Sequence, residues 1–241
     1  MATRLLSALA MTATHLVLGN RHASTACAAH SAAADVDLLL LAMKFLVARD
    51  SNDTGSLRAL VVPLAAQDLV PLTSPVAELR ANKAAQVVTV YYDGDENAVE
   101  RYHFREGMVQ RIDRLPAVIS AVDGTADRDR RHNLLQWLLR GVRFLHADVY
   151  LQWDVHEELL SDDITMFGAK GRPEVMALKK SFLDVKPAYQ INSISAHGES
   201  RMIRADFVSL LPGKEGAGTE FLWFDEALEK VTAAHAVRHA V

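Results

Sequence analysis

Three polar side chains in the second half of the sequence are the candidates for acid–base chemistry. Asp206 stands between two apolar residues in an alternating run that predicts a β-strand. A carboxyl group against an apolar wall has a raised pKa and can then act as a general base, whereas a strand carboxylate that pairs with Arg204 or faces solvent does no chemistry. His156 and Tyr150 are the tentative catalytic partners of Asp206, His156 because imidazole titrates near neutral pH.

Large apolar residues of the same region are predicted to line a pocket. Tyr150 and Trp153 could roof it and stack on a ring, although such residues more often belong to a core. Phe221 and Trp223 alternate with Leu222, so this strand carries bulky apolar residues on both faces, which is typical of a twice-buried strand or of an interface. The predicted lining residues are Trp153, Arg204, Phe207, Leu222 and Trp223.

Other kinds of site have little support in the sequence. His235 and His239 have the i, i+4 spacing of two metal ligands on a helix, but no third ligand is near them, so no metal site is predicted. The sequence contains no phosphate-binding glycine loop and no nucleophile elbow, and no cofactor is expected. The arginines between 128 and 143 alternate with acids, and the net charge is −4, so nucleic-acid binding is not expected.

The composition is that of an ordinary globular protein. Of 241 residues, 50% are hydrophobic and 23% are charged, which excludes a disordered or collagen-like chain. No apolar run approaches the ~20 residues of a membrane-spanning helix, so no membrane association is predicted. The single cysteine, Cys27, excludes a disulfide framework.

Residues 1–34 differ from the rest of the chain and are predicted to be a targeting leader. They contain Arg4 and Arg21 but no Asp or Glu, and Ala, Ser and Thr are abundant. This pattern favours an organelle transit peptide, and a mitochondrion is the expected destination. A plastid transit peptide, a secretory signal that is cleaved near Cys27 and a terminus without any address are the alternatives.

The elements that position the candidate residues follow a pattern that occurs twice. Residues 98–111 align without a gap with residues 218–231, so that Glu100 stands opposite Glu220 and Phe104 opposite Phe224. Both segments read as strand, tight turn and strand. An apolar strand precedes each of them, so each half is predicted to end in a three-stranded antiparallel meander.

Upstream of the meanders the two halves match more weakly. Phe45-Leu46 aligns with Phe144-Leu145. The second half has a predicted helix over 173–183, where the first half has only the short stretch 75–82, and we find no first-half counterpart of the strand predicted over 188–196. Residues 121–132 read as a polar linker, followed by a long helix from about Asn133 to Leu151.

The order of elements in the second half resembles the nuclear transport factor 2-like superfamily, and within it the SnoaL-like branch. The order is a helix, a short helix, a strand-like segment with an acid pair, another helix and a long meander. The resemblance is carried by residues 159–168, 171–172, 191–194, 205–207 and 220–228.

The resemblance implies an α+β fold of two tandem cone-like units, each with N-terminal helices packed on a curved antiparallel sheet around a pocket. The expected organisation is the leader 1–34, a degenerate first half 35–120, the linker 121–132 and a SnoaL-like domain 133–241. In enzymes of this family an acid or His/Asp group in the apolar cone moves a proton next to a carbonyl group. Relatives also dimerise through the sheet.

Two functions are therefore open. The first is a non-catalytic binding or assembly module inside an organelle, which meets a protein partner or a second copy through the second sheet. The alternative is a SnoaL-like isomerase, cyclase or dehydratase that acts on a small apolar carbonyl compound through Asp206 and its partners.

Overall fold

The structure, a computed structural model, describes residues 22–66, 69–72, 74–93, 99–115, 125–181, 189–210, 213 and 215–239, without the side chains of 22–34 and 125–127. The leader predicted over 1–34 therefore lies largely outside the described residues. The described helices are α1 (His22–Ser51), α2 (Thr54–Leu60), α3 (Pro63–Ala66), α4 (Thr125–Tyr150), α5 (Trp153–Leu159) and α6 (Arg172–Ser181).

The described strands belong to one mixed sheet. They are β1 (Val76–Asn82), β2 (Val87–Tyr92), β3 (Val99–Arg105), β4 (Met108–Arg114), β5 (Leu160–Met166), β6 (Ala169–Lys170), β7 (Tyr189–His197), β8 (Met202–Ser209), β9 (Gly216–Phe224) and β10 (Val231–Arg238). Their order in the sheet is β4-β3-β2-β1-β7-β8-β9-β10-β5-β6. The predicted α+β class is thereby confirmed.

The sheet consists of two antiparallel meanders joined edge to edge. Strands β1–β4 form the first and β7–β10 the second, and β5 adds in parallel to β10. The junction is the antiparallel pair β1–β7, in which Leu79 lies opposite Ile194. Both side chains are fully buried in one continuous apolar core, so the halves share a sheet and a core.

Helices α1 and α4 pack side by side on one face of this sheet. Asp37 of α1 is 3.1 Å from Nε2 of His146, and Asp50, thirteen residues later, accepts from Nε of Arg131 at 2.6 Å. The contact partners on α4 thus run in the opposite chain direction, which makes the two helices antiparallel. We call the helix-covered face of the sheet the inner face and the opposite face the outer face.

Alternation along the strands assigns side chains to these faces. On β8 the buried residues Ile203, Ala205 and Phe207 belong to the inner face, and on β9 the buried Leu222 and Phe224 do. The residues between them in sequence belong to the outer face, which no described helix covers.

Two predictions about the elements are wrong. The linker predicted over 121–132 is helical from Thr125, because α4 begins eight residues before Asn133. Its charged first turns are held by Asp50, which receives hydrogen bonds from Arg131 and contacts His132. The strand predicted over 188–196 does have a first-half counterpart, since 76–82 is not a helix remnant but β1.

Candidate functional site

Four ionisable side chains from four elements meet on the inner face of the second half. They are Asp148 in the last turn of α4, His156 in α5, Lys179 in α6 and Glu220 in β9. We call them the interior cluster. Glu220 lies on the same face of β9 as the buried Leu222, so its carboxyl group is directed towards the helices.

Asp148 is the centre of the interior cluster. Lys179 donates a short hydrogen bond to Oδ1 of Asp148, and Nε2 of His156 lies 3.0 Å from the same oxygen. Burial alone would raise the pKa of Asp148, but the charge of Lys179 and the contact with His156 outweigh it and hold this pKa at about 2. Asp148 is therefore an anion at neutral pH. Its side chain remains 28% exposed to solvent.

Glu220 has the opposite character. Burial and the negative charge of Asp148 raise its pKa to about 8, and the positive charge of Lys179 offsets this rise only in part. At neutral pH Glu220 therefore carries a proton. Within the part of the chain that the structure describes, no side chain makes a recorded hydrogen bond to its carboxyl group. A neutral carboxyl group in this position can donate a hydrogen bond or a proton to a ligand.

His156 is fully buried, and neither of its ring nitrogens has a hydrogen bond of good geometry among the described residues. Its ring packs edge-on against Phe144, with centroids 4.9 Å apart, and lies 6.0 Å from Trp153. Nε2 still contacts Asp148 at 3.0 Å, so Nδ1 is the nitrogen left without a partner among the described residues, which is costly unless a ligand or a water satisfies it.

Aromatic rings surround the polar groups. Nζ of Lys179 lies 4.5 Å from the centroid of the Phe144 ring, a cation–π contact that adds to its ion pair. Tyr189 at the start of β7 packs edge-on against Phe207, 5.1 Å away, on the inner face. Burial and the charge of Glu220 raise the pKa of Tyr189, so its hydroxyl group keeps its proton.

Local chain reversals place the helices that carry the cluster. Leu151 has a φ of 57°, which turns the chain sharply between α4 and α5 and brings His156 back to Asp148. Gly171 has a φ of 81° and donates its N–H to the carbonyl oxygen of Ile164 at 2.8 Å, which fixes the start of α6. Pro173 in the first turn of α6 suits its fixed φ and missing N–H.

Asp206 does not lie where a pocket base would. It is on the outer face of β8, where Thr219 donates to it at 2.7 Å, Ser193 at 3.1 Å and Arg204 at 2.9 Å. Burial would raise its pKa, but these hydrogen bonds and the charge of Arg204 lower it. The predicted placement in an apolar pocket is thus corrected to an ion-paired carboxylate, the alternative that the sequence left open.

The other predicted site residues are divided between the two faces. Tyr150 is exposed and donates to Asp37 at 2.6 Å, away from the interior cluster. Arg204 and Trp223 lie on the outer face with Asp206, so they do not line an inner pocket. On the inner side are His156, Trp153, Phe207 and Leu222.

The histidines near the C-terminus lie on a strand and its end rather than on a helix. His235 lies on the outer face of β10, and His239 lies 3.0 Å from the hydroxyl group of Thr219. Among the described residues no group of three or more His, Cys, Asp or Glu side chains is placed to hold a metal ion. In that same part of the chain no helix has the length and apolar character needed to cross a membrane.

Asp148, Lys179 and Glu220 were missed in the sequence, although each left a signal. Asp148 follows the buried Leu145 by three residues, and Lys179 follows Val175 by four, so each charge falls on an apolar helical stripe. Glu220 alternates with Leu222 and Phe224. A charge at an apolar position of a periodic pattern is the sign of a buried ionisable group.

Comparisons with known proteins give little beyond this geometry. No protein-family model matches the chain, and no curated protein matches it either. Among solved structures, a chain described as an NTF2-like protein of unknown function from Cytophaga hutchinsonii aligns with a TM-score of 0.35 and 12% identity. The alignment covers 43% of this chain and 89% of that one.

Proposed function

We propose that the second half of this chain is a small-molecule site that exchanges a proton with its ligand through Glu220. The observation that carries the proposal is the pairing of a protonated Glu220 with an ionised Asp148 in one partly accessible cluster. Two carboxyl groups with pKa values driven apart by their surroundings are a common arrangement for an acid and a base.

The roles follow from the contacts. Glu220 carries the proton at neutral pH and donates it to a basic atom of the ligand. Asp148, held by Lys179 and His156, is the anion that stabilises a developing positive charge on the ligand. Trp153 and Phe207 supply apolar surface for the rest of the ligand.

A SnoaL-like isomerase, cyclase or dehydratase within the nuclear transport factor 2-like superfamily fits this chemistry, with a small apolar carbonyl compound as substrate. The order α4, α5, β5–β6, α6 and β7–β10 supports the assignment, because it is the order of elements that the sequence resemblance implies. The acid in this proposal is Glu220 in place of Asp206.

A fragment screen by ligand-observed NMR tests the proposed function. Small apolar carbonyl compounds, phenols and amines are screened against the native protein, Glu220→Gln and Asp206→Asn. We expect ligands that bind the native protein and Asp206→Asn but not Glu220→Gln. For a carbonyl ligand, we expect deuterium exchange next to the carbonyl group to fall by about 100-fold or more in Glu220→Gln. Ligands that bind all three proteins equally, or no ligands at all, contradict the proposal.

A second candidate function, assembly through the outer face, is favoured by one observation. Phe221 and Trp223 lie side by side there with ring centroids 5.9 Å apart, and both remain partly exposed. Neighbouring aromatic side chains on an uncovered sheet face are typical of a contact with a protein partner or a second copy.

The destination of the chain is a separate proposal. We propose that the acid-free residues 1–34 direct it to the mitochondrion. Mass spectrometry of the N-terminus of the protein purified from its own cells tests this, and an N-terminus that still begins with Met1 contradicts cleavage.

A further inference from the structure

The turn that follows α1 has the same backbone path as the turn that follows α4. Asn52 and Leu151 both have positive φ, 55° and 57°, and both stand one residue after their helix. The next residues donate their N–H groups to Ala48 and Ala147, and α2 and α5, which follow, are each seven residues long. Counting back from these turns, Arg49 of α1 occupies the position of Asp148 of α4.

The third strands of the two meanders match in the same way. Glu100 on β3 pairs with Val90, and Glu220 on β9 pairs with Ala205; all four belong to the inner face. The two glutamates thus occupy equivalent positions, each close to the end of the long helix in its own half.

In the first half this glutamate is fully paired. Nη1 of Arg49 donates to Glu100 at 2.5 Å and its Nη2 donates at 3.2 Å. Nε of Arg114 donates at 2.8 Å, and the hydroxyl groups of Tyr102 and Tyr92 donate at 2.5 Å and 2.7 Å. Burial is outweighed by these donors, which hold the pKa of Glu100 at about 2.

In the second half every one of these donors is replaced. Asp148 stands in the position of Arg49, Ala236 in that of Arg114, Leu222 in that of Tyr102 and Phe207 in that of Tyr92. The remaining cation, Lys179, is bound by Asp148. Among the described residues, Glu220 therefore lacks the direct hydrogen bonds that Glu100 receives from arginine and tyrosine side chains.

The groups that face Glu220 come from every neighbouring element. From the helices come Asp148, which His156 contacts, and Lys179. From the strands come Tyr189 on β7 and Arg238 at the end of β10, which hydrogen-bonds to Tyr189. With Glu220 ionised, the charges of Asp148, Lys179 and Glu220 sum to one net negative charge. A ligand with one positive charge would neutralise them.

We propose that the second half binds an organic cation, a guanidinium or ammonium group on an apolar body, which takes beside Glu220 the place that the Arg49 side chain takes beside Glu100. The proposal rests on the proposed ligand site at Glu220 and, of the three compound classes in the fragment screen, selects the basic nitrogen compounds over the carbonyl compounds. Tyr189 lies close enough to Glu220 for the two groups to interact, and an aromatic ring beside the carboxyl group suits a cation. If the ligand arrives as a neutral amine, the proton of Glu220 moves to its nitrogen, which leaves a carboxylate and an ammonium ion.

The test compares benzylguanidine with benzylurea, which has nearly the same shape but no charge and carries a carbonyl oxygen. Calorimetry with the full chain is expected to show benzylguanidine binding at least about tenfold more tightly. Its affinity is expected to rise between about pH 6 and about pH 9, because free Glu220 loses its proton there. Benzylurea, whose carbonyl oxygen accepts a hydrogen bond from the protonated carboxyl group of Glu220, shows the opposite trend.

Two variants complete the test. Asp148→Arg installs the first-half residue and is expected to abolish benzylguanidine binding, while Asp206→Asn on the outer face leaves it unchanged. Circular dichroism checks that each variant is folded; if Asp148→Arg does not fold, Glu220→Gln replaces it, with the same expected loss.

Benzylurea binding as tightly as benzylguanidine, or neither compound binding, overturns the cation proposal. A separate result overturns the proposed function: no fragment of any chemical class loses its binding in Glu220→Gln.

Discussion

Leu79 lies opposite Ile194 in the only strand pair that joins the two described meanders, and the same two residues occupy equivalent places in their own halves. Leu79 pairs with Val90 of β2 on its other side, and Ile194 pairs with Ala205 of β8. The two meanders are thus related by a local two-fold axis between Leu79 and Ile194, and we expect the halves to unfold together.

Leu79→Ala tests this cooperativity. Removing a fully buried leucine side chain costs about 3–5 kcal/mol. All three tryptophans, Trp137, Trp153 and Trp223, lie in the second half, so their fluorescence reports unfolding there. In urea we expect the fluorescence and the circular dichroism midpoints to fall together. A fluorescence midpoint that stays at the native value contradicts a single cooperative unit.

Arg49→Met is expected to be strongly destabilising, by about 3–5 kcal/mol, because it leaves Glu100 charged and buried. The double variant Arg49→Met/Glu100→Gln should recover part of that loss, since the buried charge that has lost its Arg49 partner is then gone. Since the pKa of Glu100 is about 2 in the folded protein and near 4.5 when unfolded, its contribution disappears as the pH falls through this window. Chemical denaturation measures the free energies of unfolding of the native protein and of both variants. A double variant less stable than Arg49→Met contradicts the predicted recovery.

Glu220→Gln is expected to change how stability depends on pH. Its folded pKa of about 8 lies above the unfolded value of 4.5, so between them the unfolded chain releases a proton that the folded protein keeps. The stability of the native protein therefore falls as the pH rises through this window, and Glu220→Gln lacks this pH-dependent loss. At about pH 9 Glu220→Gln should be more stable than the native protein by up to about 4 kcal/mol relative to their difference at pH 5. A stability difference that is independent of pH would exclude a raised pKa.

Gly218→Ala is expected to disturb the aromatic wall of the interior cluster. A Cβ atom at this position would lie 2.4 Å from Cζ of Phe207 and 2.8 Å from the backbone oxygen of Val237, so the strand or the ring must shift. We expect a loss of about 1–3 kcal/mol in urea denaturation. Gly198→Ala is the control, because a Cβ atom there meets nothing within 4 Å. Equal stabilities of the two variants would show that the approach of Phe207 is unimportant.

Trp223→Glu tests assembly through the outer face. If this face is an interface, sedimentation velocity is expected to show a native dimer or larger complex that dissociates in the variant, because a buried unpaired charge is costly. Phe167→Glu is the matched control, since Phe167 is 57% exposed at the β5–β6 turn, outside the sheet faces. A native protein that stays monomeric, or two variants that behave alike, counts against this candidate function.

The meanders were predictable because alternation and turn chemistry are local. The gapless match of Glu100 with Glu220 reports equivalent strand positions, but the match alone does not single out Glu220 as the acid of the interior cluster. The extent of α4 was less predictable, since the charged residues 125–132 read as a linker until Asp50 of a distant helix pairs with Arg131.

The face of Asp206 could not be read from the sequence. Alternation separates Asp206 and Arg204 from Ala205 and Phe207, but it does not say which set the helices cover. That choice depends on where α1 and α4 pack, which is a tertiary property. The strand β1 was misread for a related reason, because one of its two neighbours in the sheet is β7 of the other half.

The β1–β7 junction also has a consequence during synthesis. Leu79 and Ile194 are 115 residues apart in the chain (194 − 79), so the junction forms late and raises the contact order of the fold. At a translation rate of about 5–20 residues per second, β7 is synthesised roughly 6–23 seconds after β1. During that time the first meander has an open strand edge, and we expect the nascent chain to depend on chaperones that cover it.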